Sequence, residues 1–204
     1  MNYLIAIPAM DWCPVPFAYS LATMQRVGAS KISMISGAAV HEARENLAKE
    51  AIETGADRVL WLDSDMAFGS DLMARLAARL DEGWDLCCGL YTKRRLPVSP
   101  VIYERVNIET GQVMQYLDYP KDNLFEIEGC GFGAVMTSVD LLRRVLAAYG
   151  AAFSPVNGLS EDLSFCARVG AIGARMACDS TIKVGHVGLF TYGEQIYRHP
   201  GAVK

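Results

Sequence analysis

The chain predicts an α/β fold built on a mostly parallel central sheet, and three observations lead there. Apolar runs of strand length alternate with segments of helical periodicity through the first half. Glycines stand where those helical segments must stop, at Gly55 and Gly83. After Arg58, the run Val59-Leu60-Trp61-Leu62 is apolar and of strand length, and reads as a buried strand.

The elements follow in order. Tyr3 to Pro8 reads as the opening strand, Val15 to Val27 as a helix, Lys31 to Ser36 as a strand and Val40 to Thr54 as a second helix. In that second helix Val40, Ala43, Leu47, Ala51 and Ile52 recur at helical spacing, leaving Glu42, Arg44, Glu45, Asn46 and Lys49 on its other faces. After the strand Arg58 to Leu62, Ser70 caps a helix carrying Leu72, Met73, Leu76 and Leu80, and Asp85 to Tyr91 forms the next strand. From Thr92 the rhythm changes. A basic loop, Lys93-Arg94-Arg95, precedes short strands at Val101–Tyr103 and Val113–Tyr116, joined by a turn at Thr110-Gly111, which predicts a small β-meander at the sheet edge. Ser138 to Tyr149 is an amphipathic helix ended by Gly150, a further helix starts after Ser160 and stops near Gly170, and residues from Gly193 onward read as a loosely held tail.

Composition narrows the class. The 204 residues suit a single domain, and 51% hydrophobic residues supply a large core. A net charge of −4 argues against bulk nucleic-acid binding. The six cysteines lack the paired spacing of zinc sites and the density of a disulfide scaffold, so they are expected as buried thiols in a reducing cytoplasm. The first residues carry no basic leader, and no stretch approaches the roughly 18 apolar residues of a spanning helix, so a soluble, cytoplasmic chain is expected.

The chemistry starts at Asp63-Ser64-Asp65. Chance alone supplies about 0.7 Asp-x-Asp pairs at this composition, so context must carry the motif. Here the pair ends a buried strand, where open parallel sheets bind their ligands. A strand turns successive side chains to opposite faces, so Asp63 and Asp65 are expected to point the same way and to share a cation or the phosphates a cation carries. Glu161 and Asp162 open a helix behind Ser160; acids there complement the helix dipole, and a carboxylate so anchored can also serve as a general base. His186, between glycines in a short β-like segment, is either a structural hydrogen-bonder or a metal ligand. Gly129-Cys130-Gly131-Phe132-Gly133 lacks the spacing of a dinucleotide-binding turn and reads as close packing or backbone contact with an acceptor. Arg44 with Asn46, and the Lys93-Arg94-Arg95 loop, are either solvated surfaces or contacts for a nucleotide diphosphate.

Taken in order, the opening strand to Pro8, Ala43-Arg44-Glu45-Asn46, Trp61-Leu62-Asp63-Ser64-Asp65, Gly131-Phe132-Gly133-Ala134-Val135-Met136, Glu161-Asp162 and His186 resemble a GT-A-fold glycosyltransferase, similar to family-two-like and Anp1-like enzymes. The resemblance spans nearly the whole chain. It implies one GT-A domain over residues 1–204, with 1–91 binding the nucleotide sugar and 92–204 forming the acceptor half. It further implies Asp65 and His186 as ligands of Mn²⁺ or Mg²⁺, and Asp63 on the metal's water shell or the ribose. Pro8, Arg44, Asn46 and Ser64 join the donor site, Asp162 becomes the catalytic base, and Glu161 binds acceptor or orients its loop. The expected reaction is metal-dependent transfer of a sugar from a nucleotide-diphosphate sugar, with inversion, to a hydroxyl of a glycan, lipid, protein or modified nucleobase. A sugar-phosphate nucleotidyltransferase and a noncatalytic nucleotide-sugar-binding module are the alternatives.

Overall fold

The computed structural model describes residues 1–188 and 191–194. The elements in order are β1 (Asn2–Ala9), α1 (Val15–Thr23), β2 (Ala29–Ser36), α2 (Val40–Glu53), β3 (Arg58–Leu62), β4 (Met66–Ala67), α3 (Leu72–Asp81) and β5 (Leu86–Leu90). There follow β6 (Ile102–Val106), β7 (Val113–Gln115), β8 (Leu124–Glu126), β9 (Gly129–Cys130), β10 (Ala134–Ser138), α4 (Val139–Tyr149), α5 (Glu161–Ala171), β11 (Met176–Lys183), β12 (Gly185–Val187) and β13 (Thr191–Tyr192).

Seven strands form the central sheet in the order β2-β1-β3-β10-β5-β11-β8. The pairs β1–β2, β1–β3 and β5–β11 are parallel, while β10 is antiparallel to both β3 and β5, and β8 to β11. Five strands therefore run one way. Side-chain alternation divides the core between the two faces of the sheet. On β3, Val59 and Trp61 join a cluster with Leu47 and Ala51 of α2, Leu142 and Val145 of α4, and Phe165 of α5. Leu60 and Leu62 join the opposite cluster with Phe17 of α1 and Met73, Leu76 and Leu80 of α3. Burial on both faces explains the unbroken apolar run of β3.

Several boundaries differ from expectation for identifiable reasons. Helix α1 stops at Thr23 rather than Val27, because Met24 turns extended and the Gln25 amide donates to the Ser70 carbonyl at 2.8 Å. Asp71 rather than Ser70 occupies the cap position of α3. The two strands expected as a meander, β6 and β7, do not extend the central sheet. Instead β6 pairs with β7 and β9 in a separate three-stranded sheet, and β8 takes the edge beside β11. Glu194, expected in a loose tail, is tied down by the Tyr119 hydroxyl at 2.6 Å and by Lys183, and residues 195–204 lie outside the described residues. Five of the six cysteines are buried and Cys13 is exposed; all six are free thiols. Among the described residues no helix is long and apolar enough to cross a membrane.

Candidate active site

The carboxyl ends of β1, β3 and β5 reach one edge of the sheet, and the segments leaving them carry most of the candidate residues. β10 runs against its neighbours, so its amino end, with Gly133 before it, lies at that edge too: the Asp63 amide donates to the Gly133 carbonyl at 3.2 Å.

Strand β3 ends at Leu62, and Asp63 to Met66 form a turn closed by the Met66 amide on the Asp63 carbonyl at 3.3 Å. The alternation argument for a shared orientation of Asp63 and Asp65 therefore fails, since it requires extended backbone through both residues. The two carboxylates instead enter different ion pairs. Asp63 Oδ1 accepts from Arg44 Nη2 at 2.6 Å, and the other arm of the same guanidinium, Nη1, donates to Glu161 Oε1 at 2.6 Å. Asp65 Oδ2 meets Arg94 Nη1 at 2.8 Å and His186 Nε2 at 3.4 Å.

Arg44 enters from α2 and is 2% exposed, with its guanidinium 5.3 Å from the Phe132 ring centroid. Burial would lower its pKa, but the charges of Asp63, Asp162 and Glu161 outweigh burial and raise it, so it stays a cation among three acids. It is thus engaged with carboxylates rather than open to a diphosphate. Burial raises the Glu161 carboxyl above the usual range, Arg44 opposes that shift and the neighbouring Asp162 charge reinforces it. Asp162 Oδ1 accepts from the Leu163 amide at 2.7 Å and from the Ser160 hydroxyl. Ser160 sits at the cap position of α5 but its side chain caps nothing; that oxygen of Asp162 takes its hydroxyl instead. Among the described residues no hydrogen bond reaches Asp162 Oδ2.

The second cluster is built around Asp65. His186 on β12 is brought to it by the β12–β4 pairing and by the Val187 amide, which donates to the Asp65 carbonyl at 2.8 Å. His186 Nδ1 lies 2.9 Å from the Thr92 carbonyl. A carbonyl only accepts, so Nδ1 is the donor of that bond, and Nε2 is the ring atom that faces Asp65. Tyr91 packs edge-on against the imidazole, with centroids 5.4 Å apart, and fixes its plane. The Tyr91 hydroxyl is held well above its ordinary pKa by burial and by the charges of Asp63 and Asp162, so it stays a neutral phenol. The glycine run makes room for it: a Cβ on Gly131 would lie 1.9 Å from that hydroxyl oxygen, and one on Gly133 would lie 2.7 Å from Met66 Cε. Close packing is what these glycines serve.

Pro8 is half-buried at the end of β1, in register with Ile35 of β2. Ser64 is buried and its Oγ accepts from the Met10 amide at 3.4 Å, tying the segment after β1 to the acidic turn. Asn46 stands apart. Two residues beyond Arg44 it is turned about 200° round α2, and it is exposed. Arg94 enters the site more directly than its basic triplet suggested, and the sequence signal for it is position, immediately after the edge-facing end of β5.

The residues can be tested against a divalent cation. Among the described residues Asp65 Oδ1 is buried with no hydrogen-bond partner, and a histidine whose Nδ1 donates to a backbone carbonyl presents Nε2 as metal-binding histidines do. Asp65 and His186 therefore fit as two ligands of a cation that phosphate oxygens would complete. Among the described residues no group of three His, Cys, Asp or Glu side chains is assembled to hold a metal by itself.

Helices packed on both faces of a mostly parallel central sheet match the GT-A fold, and the chain has that fold. The crystal structure of A197 from STIV matches with a TM-score of 0.70 at 21% identity, over 92% of this chain and 86% of that one. GalNAc-T7 with UDP, GalNAc and Mn²⁺ matches with a TM-score of 0.55 at 13% identity, over 84% of this chain and 34% of that one. The chain thus spans about a third of the length of GalNAc-T7. At these identities the likeness is one of fold. No protein-family model and no curated protein sequence matches the chain.

Proposed function

We propose that this chain is a glycosyltransferase that moves a sugar from a nucleotide-diphosphate sugar to a hydroxyl acceptor with inversion at the anomeric carbon. One observation carries the reading. Asp65, Arg94 of the loop after β5 and His186 of β12 converge at the carboxyl edge of the sheet, and among the described residues Asp65 keeps one oxygen buried without a hydrogen-bond partner. A polar oxygen withheld from water costs free energy unless a partner meets it. The fold supports the donor class as well, since GalNAc-T7 is described with UDP, GalNAc and Mn²⁺.

The Asp65 carboxylate and His186 Nε2 would hold Mn²⁺ or Mg²⁺. When bound, the ion offsets charge developing on the departing nucleoside diphosphate. Everything else falls to the chain's own groups. Arg44 holds Asp63 and Glu161 in fixed orientations, so Asp63 faces the donor and Glu161 borders the acceptor. Pro8 and the Met10–Ser64 contact shape the donor side near the end of β1. Asp162 serves as general base: its Oδ1 is anchored by the Leu163 amide and Ser160, and Oδ2 takes the proton of the attacking hydroxyl. Attack on the face opposite the departing diphosphate inverts the anomeric centre. In this reading 1–204 is one domain in which 1–91 supplies most donor contacts and 92–204 the acceptor side, with Arg94 and His186 reaching back to Asp65. The acceptor is a hydroxyl of a glycan, lipid, protein or modified nucleobase.

The test is a screen of nucleotide-diphosphate sugars for thermal stabilisation with and without Mn²⁺, repeated on Asp65→Ala. A true donor at 100 times its Kd raises folding stability by about 2.7 kcal/mol. A Mn²⁺-dependent shift with one donor, lost in Asp65→Ala, is the expected outcome; no metal-dependent shift with any donor would sink the reading. Retention of configuration in the product by anomeric NMR would remove the role given to Asp162.

A further inference from the structure

Arg94 sits where a cation is wanted. Its Nη1 lies 2.8 Å from Asp65 Oδ2, and the same nitrogen donates to the Val187 carbonyl at 3.2 Å, so the guanidinium bridges the acidic turn and β12. His186 Nε2 points at the same carboxylate oxygen from 3.4 Å. The guanidinium and the imidazole share Asp65 Oδ2. Arg94 thus does for Asp65 and His186 part of what a divalent ion would do.

The loop that carries it is suited to letting go. Its base is pinned, with the Lys93 amide on the Ser99 carbonyl at 2.9 Å, the Val101 amide on the Tyr91 carbonyl at 3.0 Å, and a bridge between Thr92 and Pro100. Its tip, from Arg94 to Pro97, is exposed. The Arg94 side chain is 42% accessible whereas that of Asp65 is 10%, so the arginine can swing into solvent while the acid stays fixed. The energetics agree, because a half-exposed ion pair gives little net stability, whereas a divalent ion at the same carboxylate carries twice the charge.

We propose that Arg94 is an internal stand-in for the divalent cation: its guanidinium holds Asp65 in the metal-free protein, and metal binding at Asp65 and His186 requires it to leave. This rests on the reading of Asp65 as the cation's ligand. Once displaced, Arg94 lies on an exposed loop beside the incoming diphosphate, the group a guanidinium binds in bidentate fashion. The exchange keeps positive charge at the acidic turn throughout, and it makes metal affinity low until the donor offers Arg94 a second partner.

Isothermal titration of Mn²⁺ into the full chain without donor tests this, using wild type, Arg94→Gln, Arg94→Lys and Asp65→Asn, with melting curves to verify folding. The expected result is binding about three- to tenfold tighter in Arg94→Gln than in wild type, near wild type in Arg94→Lys, and lost in Asp65→Asn. Equal affinity in wild type and Arg94→Gln, with loss in Asp65→Asn, overturns the exchange and leaves Asp65 as the metal ligand. No Mn²⁺ binding by wild type or Arg94→Gln, either alone or with nucleotide diphosphate added, overturns the exchange and the metal reading of the site together.

Discussion

Arg44 is the residue on which the acidic face of the site depends. One guanidinium spans Asp63 and Glu161, with Asp162 adding its charge nearby, so removing it leaves three carboxylates confronting one another around a buried hole. Arg44→Ala should cost about 3–5 kcal/mol, the usual consequence of stripping one partner from a buried ion pair, and lower Tm by about 10 °C or more. Arg44→Lys should cost roughly half as much, since it keeps the charge but cannot span two carboxylates; thermal melts of both variants check this, and an unchanged Tm in Arg44→Ala would contradict it. At this scale the sequence was partly readable. Asp63 and Asp65 stand out because an apolar strand runs into them, yet their separation into two ion pairs was hidden, since nothing in Leu62-Asp63-Ser64 announces that extended backbone stops there. Arg44 was noticed for its charge, and its burial depends on contacts across 117 residues to Glu161.

Elements rather than single residues fix the imidazole and brace the sheet. Gly131 and Gly133 let the segment before β10 pass directly over Tyr91, and Tyr91 packs against His186. Gly131→Ala should therefore destabilise by about 1–3 kcal/mol through overpacking and, by pushing Tyr91 and His186 aside, weaken any metal-dependent thermal shift; a loss of stability with the shift intact would uncouple the two. On the far side of the site, Asp179 of β11 is fully buried and holds Arg79 of α3 at 2.9 Å. Burial by itself would raise the Asp179 carboxyl, but bonds from Thr181 and Arg79 outweigh it and hold it below its ordinary 3.8. A carboxyl depressed on folding contributes stability that is complete above 3.8 and is lost as pH falls through its folded value. Asp179→Asn should be less stable than wild type by about 2 kcal/mol at pH 7, and urea melts at pH 3 should show that gap narrowing. A gap of the same size at both pH values would contradict the assignment. The same residues explain why β11 escaped notice in the sequence, because Asp179 and Ser180 interrupt its apolar pattern with polar groups that Thr181, Arg79, Pro120 and Asn123 satisfy only in three dimensions. β10 was hidden differently, since Ser138 ends the strand and caps α4 in one step, with no glycine or proline between them.

Across the whole molecule, the α/β class was legible because two-sided burial leaves unbroken apolar strands, whereas the order of strands in the sheet was not, because it depends on which distant segments pair. The site inherits this. Its residues come from α2, the turn after β3, the loop after β5, the start of α5 and β12. A donor bound with Mn²⁺ should slow amide hydrogen exchange together in segments around 61–66, 91–95, 161–165 and 184–187, and leave α3 unchanged; protection confined to one of these segments would argue against a shared site. The position of β10 carries a further consequence, for how the chain reaches its native state. It enters the sheet between β3 and β5, pairing Val135 with Trp61 on one side and Cys88 on the other. A nascent or truncated chain ending at Tyr91 therefore has β3 and β5 with unpaired backbone edges facing one another across a missing strand. Such edges invite pairing with other copies, and closing them late in synthesis makes folding of this sheet slow and non-local. Residues 1–91 should accordingly aggregate when expressed alone, and the strand that completes their sheet is the same one that brings Gly133 to Asp63.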